Sequence, residues 1–312
     1  MPTIPRSTLS IGGGKISHGA YSFLHLQPFN IRLTLDRMQI APQTIGLLDE
    51  RMLDVDAKLT VQPDGAWTAA SRAALWPYAS TRPGASMFAG DIDLIINCLN
   101  DEQYTAKAAA ITRMPDMLLS ASKTMIGQAE YTLLGQDNTA WNVADRFFTI
   151  DTAPYSDPNL TVATIKTQPY VGAWGAIAGF TSIETEDGWT ITFDLGVAPA
   201  NSDSWGRLDW RLQSVQVRAS CIPINVTATQ IRDALYIQDG GAYLRGGSMQ
   251  AKGNQLVITG ADASVPVTIP NCALVEGGYR YGSNVYRQDM ISFLSTRLLA
   301  SGVPQPLFIL GA

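Results

Sequence analysis

Over residues 53–61, apolar Leu53, Val55, Ala57, Leu59 and Val61 alternate with Asp54, Asp56, Lys58 and Thr60. Strict period two marks a strand with one buried and one polar face, because successive side chains leave a pleated backbone on opposite sides. The same alternation returns as Val215, Val217, Ala219 and Cys221 against Ser214, Gln216, Arg218 and Ser220. Lys58 and Arg218 hold the same place on the polar face. A short helix is predicted next in each half. Ala66–Tyr78 carries good helix formers with Pro77 as a stop, and Thr227–Ile237 precedes the turn signal Asp239-Gly240-Gly241. Strands are predicted at 92–99, 104–112 and 125–134, then at 255–260, 264–269, 272–276 and 285–295. Each half therefore reads β-β-α-β-β-β.

The two halves also match in sequence, at an offset of about 160 residues. Leu33-Thr34-Leu35-Asp36 is aligned with Ile191-Thr192-Phe193-Asp194, and Ala41-Pro42 with Ala198-Pro199. A G-x-L-D-x-R motif occurs twice, as Gly46…Asp49…Arg51 and Gly206…Asp209…Arg211. Pro63 then falls on Pro223, Arg72 on Arg232, and Ala74-Leu75-Trp76 on Ala234-Leu235-Tyr236. After a small insertion, Gly84…Ser86-Met87 falls on Gly246…Ser248-Met249, and Leu94-Ile95-Ile96 on Leu256-Val257-Ile258. No single match decides the matter; their preserved order does. The fold class expected is mainly β: two tandem copies of one domain, each a β-sandwich or half-barrel with a short flanking helix. The first domain is placed at 1–140 with an N-terminal arm. Pro154, Asp157-Pro158 and Pro169 mark 141–171 as a connecting arm. The second domain, with a C-terminal tail, occupies 172–312.

Composition narrows the function. Only 16% of residues are charged, against roughly a quarter in ordinary globular domains. That sparsity suits a surface hidden in an assembly, and equally a Thr/Ser/Gln-rich β surface. The net charge of −5 argues against phosphate-driven nucleic-acid binding, which needs clustered Lys and Arg. The segment Met1-Pro-Thr-Ile-Pro-Arg6 lacks the pattern of a signal peptide, and no apolar run approaches a membrane span. Cys98, Cys221 and Cys272 are too few and too scattered for a disulfide framework or a zinc site, and read as small buried hydrophobes. The sequons at Asn159 and Asn225 carry little weight without a secretory signal.

The usual tools of catalysis are missing. His18 and His25 are the two histidines, both near the start, and neither has a nucleophile or ligand partner at a telling spacing. Gly12-Gly13-Gly14-Lys15 resembles the end of a phosphate loop, but Ile16 stands where Ser or Thr is required. Ser120-Ala-Ser-Lys123 matches S-x-x-K without its companion triplets and lies between strands rather than on a helix. Asp54 and Asp56 share a strand face, which a solvated surface explains. Trp76, Trp174, Trp189, Trp205 and Trp210 could stack on sugars or bases, but such tryptophans more often fill cores and interfaces. The chain is not expected to be an enzyme, nor to need a metal or cofactor.

One stretch carries a resemblance. Ala74-Leu-Trp-Pro-Tyr78, Pro83-Gly-Ala-Ser-Met-Phe88, Ala109-Ala-Ile-Thr-Arg-Met-Pro-Asp-Met-Leu-Leu-Ser120 and Gly127-Gln-Ala-Glu-Tyr-Thr132 are similar to tail tube proteins of long-tailed bacteriophages. The likeness covers roughly residues 70–142. The second half departs from it: Ile237 replaces Pro77, and Met114-Pro115 has no counterpart. The resemblance implies the fold shared by phage tail tubes and the type VI secretion tube. In that fold, domains close into a ring and rings stack into a hollow tube. Two domains per chain would make a trimeric, pseudo-six-fold ring, with tails clasping between rings. The implied partners are the chain itself and other tail proteins, such as the tape measure and tail terminator. DNA would pass through without specific binding. The implied location is the virion tail, assembled in the bacterial cytoplasm.

A lumen of that kind should be hydrophilic and not strongly basic, so that phosphate slides past. The candidate lumen-facing residues are Asp54, Asp56, Lys58 and Thr60, with Ser214, Gln216, Arg218 and Ser220. The alternatives are a baseplate hub or tail-completion ring, and, in another class, a carbohydrate-binding β-sandwich adhesin.

Overall fold

The structure is a computed structural model. It describes residues 14–24, 29–40, 49–63, 69–88, 92–98, 103–120, 126–135, 147–151, 173–178, 180, 182–202, 206–235, 238–239, 242–243, 248–260, 267–281 and 286–311. Strand accounts for 62% and helix for 9% of the described residues, so the protein is mainly β.

The first half runs β1 (Gly14–His18), β2 (Tyr21–Leu24), β3 (Asn30–Ile40), β4 (Asp49–Val61), α1 (Ala69–Leu75), β5 (Leu94–Cys98), β6 (Gln103–Ala106), β7 (Ala109–Arg113), β8 (Met117–Leu119), β9 (Ala129–Leu133) and β10 (Phe148–Asp151). Apart from β8, these strands form two sheets, β3-β4-β9-β7 and β10-β6-β5-β1-β2. Ala57, Leu59, Val61, Ile111 and Tyr131 from the first sheet share one core with Ile16, Phe23, Leu94 and Ile96 from the second. The alternation that predicts the 53–61 strand is the alternation that fills this core.

The second half runs β11 (Ala173–Ile177), β12 (Thr185–Ser202), β13 (Gly206–Pro223), α2 (Ala228–Leu235), β14 (Gln238–Asp239), β15 (Ala242–Tyr243), α3 (Met249–Lys252), β16 (Asn254–Gly260), β17 (Val267–Glu276), β18 (Tyr279–Tyr281), β19 (Tyr286–Gln288), β20 (Ile291–Ser295), β21 (Leu299–Ala300), β22 (Val303–Pro304) and β23 (Ile309–Leu310). Its main strands form one curled sheet, β11-β16-β17-β20-β13-β12, with β23 on β17.

The two halves repeat strand by strand. β5 lies between β1 and β6, as β16 lies between β11 and β17. β4 lies between β3 and β9, as β13 lies between β12 and β20. What differs is one corner. β6 and β7 are separated by Lys107-Ala108, where Ala108 takes φ 44°. Asp93 pins that turn by accepting from the Ala108 amide at 2.9 Å and from Lys107 Nζ at 3.0 Å. In the second half the same chain runs unbroken as β17. Buried Asn271 replaces the corner, donating to Thr296 Oγ1 at 2.7 Å and the Gln250 carbonyl at 3.0 Å. A broken strand yields two sheets, and an unbroken one yields a single curled sheet.

The structure corrects several sequence-level alignments. Leu33 pairs with Ala57, and Phe193 with Val217. Leu33 therefore corresponds to Phe193, not Ile191. The shift of two residues keeps the face, because the side-chain period is two. The predicted helices shorten to α1 and α2. α2 is opened by a capping box in which Thr227 Oγ1 accepts from the Gln230 amide at 3.2 Å, while Gln230 Oε1 accepts from the Thr227 amide at 2.9 Å. The strand predicted at 104–112 is the broken pair β6 and β7, and those at 264–269 and 272–276 are the single strand β17.

The predicted arm also contributes structure. β10 pairs with β6 through Phe148↔Ala106, and β23 pairs with β17 through Thr268↔Ile309. Each half thus closes with a strand led by a phenylalanine, Phe148 or Phe308. Residues 307–310 fold back on the chain itself, with Leu307 and Phe308 buried. Residues 1–13 and 152–172 lie outside the described residues.

Candidate channel-facing surface and the joint between halves

Because Ala57, Leu59 and Val61 point into the core, Asp56, Lys58 and Thr60 stand on the opposite face of β4, half-buried. Asp54 is paired with Asp36 in the same ladder; its side chain lies outside the described residues. Lys58 Nζ meets Glu130 Oε1 on β9 at 2.8 Å. Beside it, the hydroxyls of Thr112 and Thr132 bond at 2.9 Å. On β13, Ser214 and Gln216 are exposed, while Arg218 and Ser220 are half-buried. Arg218 reaches Glu276 Oε2 at 3.5 Å and donates to Ser292 Oγ at 3.4 Å; the Ser220 and Ser292 hydroxyls bond at 2.9 Å. Each half thus sets a carboxylate against the cation at this shared position. Such exposed pairs add little stability, about 0–1 kcal/mol. They do counter Lys58 and Arg218 themselves; Arg32, opposite Lys58 in the ladder, is exposed on the same face. Glu130 and Glu276 were not legible as partners, because they come from strands distant in sequence.

The halves meet through β8. β7 pairs with β9 in the first half, and β8, just beyond it, pairs with β12 through Leu119↔Trp189, Leu118↔Thr190 and Met117↔Ile191. A strand of the first half thus forms the edge of the second half's sheet. A second contact comes from the loop after α1. The Gly84 amide donates to the Leu212 carbonyl at 2.7 Å, and the Met87 amide to the Trp210 carbonyl at 2.9 Å. Ser86 Oγ donates to Asp209 Oδ1 at 2.9 Å, and Arg211 holds the other carboxylate oxygen at 2.9 Å. The Asp and Arg of the second G-x-L-D-x-R motif are therefore joint residues. Phe193 seals the joint between Trp76 and Phe308, at ring-centroid distances of 6.3 and 4.9 Å.

At this joint the polar surfaces run together. A groove of about 600 Å³ is lined by Thr112, Arg113 and Asp116 from the first half and by Thr192, Asp194 and Arg218 from the second. Burial pushes the Asp116 carboxyl up; Arg113 and a backbone hydrogen bond with Phe193 pull it down, and Asp194 pushes it up again. The groove is charged with both signs.

The remaining candidates resolve differently. Trp76 and Trp189 are buried, and Trp76 Nε1 donates to the Pro115 carbonyl at 2.9 Å, so neither offers a face for stacking. Trp210 is half-buried, and the side chains of Trp174 and Trp205 lie outside the described residues. Burial pushes the Cys272 thiol up to about 12, and raises that of Cys221 further, as expected of inert core cysteines. Ser120 is buried beside β8; Lys123 and His25 lie outside the described residues.

His18 lines an apolar cavity of about 430 Å³ with Tyr21, Tyr78, Met87, Phe88 and Ile92. Its Nε2 lies 3.3 Å from the Ala109 carbonyl, and its ring meets Tyr131 edge-on at 5.2 Å. Burial pushes its pKa down, outweighing that hydrogen bond. The folded state thus favours neutral His18, and the unfolded chain binds more protons just below the ordinary value of about 6.5. Stability conferred by the neutral ring is present above that value and lost as pH falls through the window beneath it. Urea unfolding at pH 7 and pH 5 should show this loss, and His18→Gln should flatten that part of the slope.

No family model matches this chain, and no curated protein matches it.

Proposed function

We propose that this chain is a ring-forming subunit of a phage tail tube, conducting DNA through a lumen lined by the polar faces of β4 and β13. The observation that carries the reading is the joint. β8 of the first half pairs along the β12 edge of the second, and polar residues of both halves line one groove of mixed charge. Edge-to-edge joining is what a ring needs: it consumes the open strand edges that would otherwise invite uncontrolled pairing. Three such chains would close a pseudo-six-fold ring, and head-to-tail stacking of rings would extend it. On this reading the chain's partners are itself, the tape measure and the tail terminator, and its location is the virion tail.

The charge pattern suits passage rather than grip. Lys58 and Arg218 are each countered by a glutamate, so a sliding phosphate backbone finds no uncompensated cation at either. Changing Asp54 and Asp56 to Lys should leave tubes intact by negative-stain microscopy and slow DNA ejection. Unchanged ejection from intact tubes would remove these residues from the lumen. Tube length in the same images separates a repeating tube from a single-ring hub.

A further inference from the structure

The internal joint uses each surface once, although the duplication supplies each of them twice. The first half gives the donors, β8 and the Ser86 loop. The second half gives the acceptors, the β12 edge and Asp209. The spare donors lie in the second half. β18 is the counterpart of β8: Met117 bridges Ile126 as Tyr279 pairs with Gln288, at the same offset that sets Leu94 on Leu256. Ser248-Met249 is the counterpart of Ser86-Met87.

The spare acceptors lie in the first half. β3 is the counterpart of β12 and ends its sheet; among the described residues no strand lies on its far side. Asp49 is the counterpart of Asp209 and is folded alike: its Oδ1 accepts from the Glu50 amide at 2.8 Å, as Asp209 Oδ1 accepts from the Trp210 amide at 2.7 Å.

Burial then differs where a neighbour is present or absent. Asp209 is buried at 8% exposure, whereas Asp49 is exposed. Phe193 is buried at 3%, whereas its counterpart Leu33 is 50% exposed, with Leu35 at 57% beside it. Exposed leucines on a strand face that is core elsewhere in the same molecule call for a cover.

We infer that a second copy of this chain supplies that cover, head to tail and in the register of the internal joint. Arg280 lies opposite Asn30 and Tyr279 opposite Ile31, as Leu118 lies opposite Thr190 and Met117 opposite Ile191. The Ser248 hydroxyl donates to the Asp49 carboxylate, as Ser86 donates to Asp209. Ser248 Oγ already accepts from the Ala251 amide at 3.2 Å, which leaves its proton to give. Ser86 does the same, accepting from the Phe88 amide at 3.2 Å while donating. The contact is heterologous, so repetition makes a ring or a helix rather than a two-fold dimer. It deepens the tube reading by naming the surface through which copies meet, but its argument rests on the duplication.

Paired cysteines test the register, since opposed strand residues lie within disulfide reach. The internal control, Leu118→Cys with Thr190→Cys, should close a disulfide within one chain. Asn30→Cys with Arg280→Cys should give covalent dimers and higher oligomers on a non-reducing gel, and neither single variant should. Asp49→Arg should weaken self-association by about tenfold or more in sedimentation. It should leave thermal unfolding of the monomer unchanged, and adding Ser248→Asp should restore association. Closure of the control with the Asn30/Arg280 variant still monomeric would overturn the inference, as would dimers from Asn30→Cys alone, which would mean two-fold β3 pairing. Tubes that assemble without the cross-link reject this register and keep the tube function; cross-linked rings that never enter virions do the reverse.

Discussion

Gly188→Ala should break the joint between the halves and destabilise the protein by about 3 kcal/mol. Gly188 takes φ 83°, a left-handed conformation that costs an alanine roughly 1–2 kcal/mol. A Cβ there would overlap the Leu119 carbonyl oxygen and come within 2.8 Å of Ser120 Cα. Those atoms are backbone and cannot swing aside, so β8 must leave β12. The expected result in urea is a lower midpoint and a transition that splits in two, as the halves lose their shared edge. A single transition at the wild-type midpoint would show that β8 does not couple them.

Trp189→Ala should cost still more at the same place, about 3–5 kcal/mol. Trp189 is 1% exposed, packs on Phe293 at 6.2 Å and lies beside Gly175, where a Cβ would overlap the indole. Truncation leaves a cavity that the rigid sheet around it cannot collapse to fill. Trp189→Phe is the informative companion. Among the described residues the indole Nε1 is buried without a hydrogen-bond partner, so phenylalanine keeps an aromatic ring and removes an orphan donor. Its cost should stay near about 1 kcal/mol, because the lost volume is partly offset by relief of that desolvated group. Denaturant midpoints for the two variants measure the difference.

Both predictions fall on residues that no sequence pattern singled out as joint residues. Trp189 was legible only as an aromatic that more often fills a core or an interface. The alternation along β4 and β13 was legible because it is local: one residue in, one out, with the turn and helix signals following. The duplication was legible because order and spacing survive when side chains drift. Even so, the aligned Ala41-Pro42 and Ala198-Pro199 were misleading: Ile40 pairs with Asp49 as Ala200 pairs with Asp209, which sets Ala198-Pro199 on Met38-Gln39. β3 shifts register at Asp36/Arg37 just where its counterpart β12 does, at Gly196/Val197.

The candidate polar face divides along the same line. Which residues of a strand share a face follows from period two, so Asp56, Lys58 and Thr60, like Ser214, Gln216, Arg218 and Ser220, could be grouped from sequence. Which carboxylate meets Lys58 or Arg218, and that Thr112 and Arg218 border one groove, depends on strand order.

By itself, then, the sequence determined the mainly β fold class, the repeated pattern, and the two faces of β4 and β13. These rest on interactions within a few residues, or on patterns written twice. Only the tertiary structure decided that one copy is two sheets and the other a single curled sheet, that β8 crosses to β12, and that Asp209 is buried where Asp49 is not. Period two says which way a side chain points, but it does not say which strand lies alongside. That neighbour is chosen by long-range pairing and by the burial it permits.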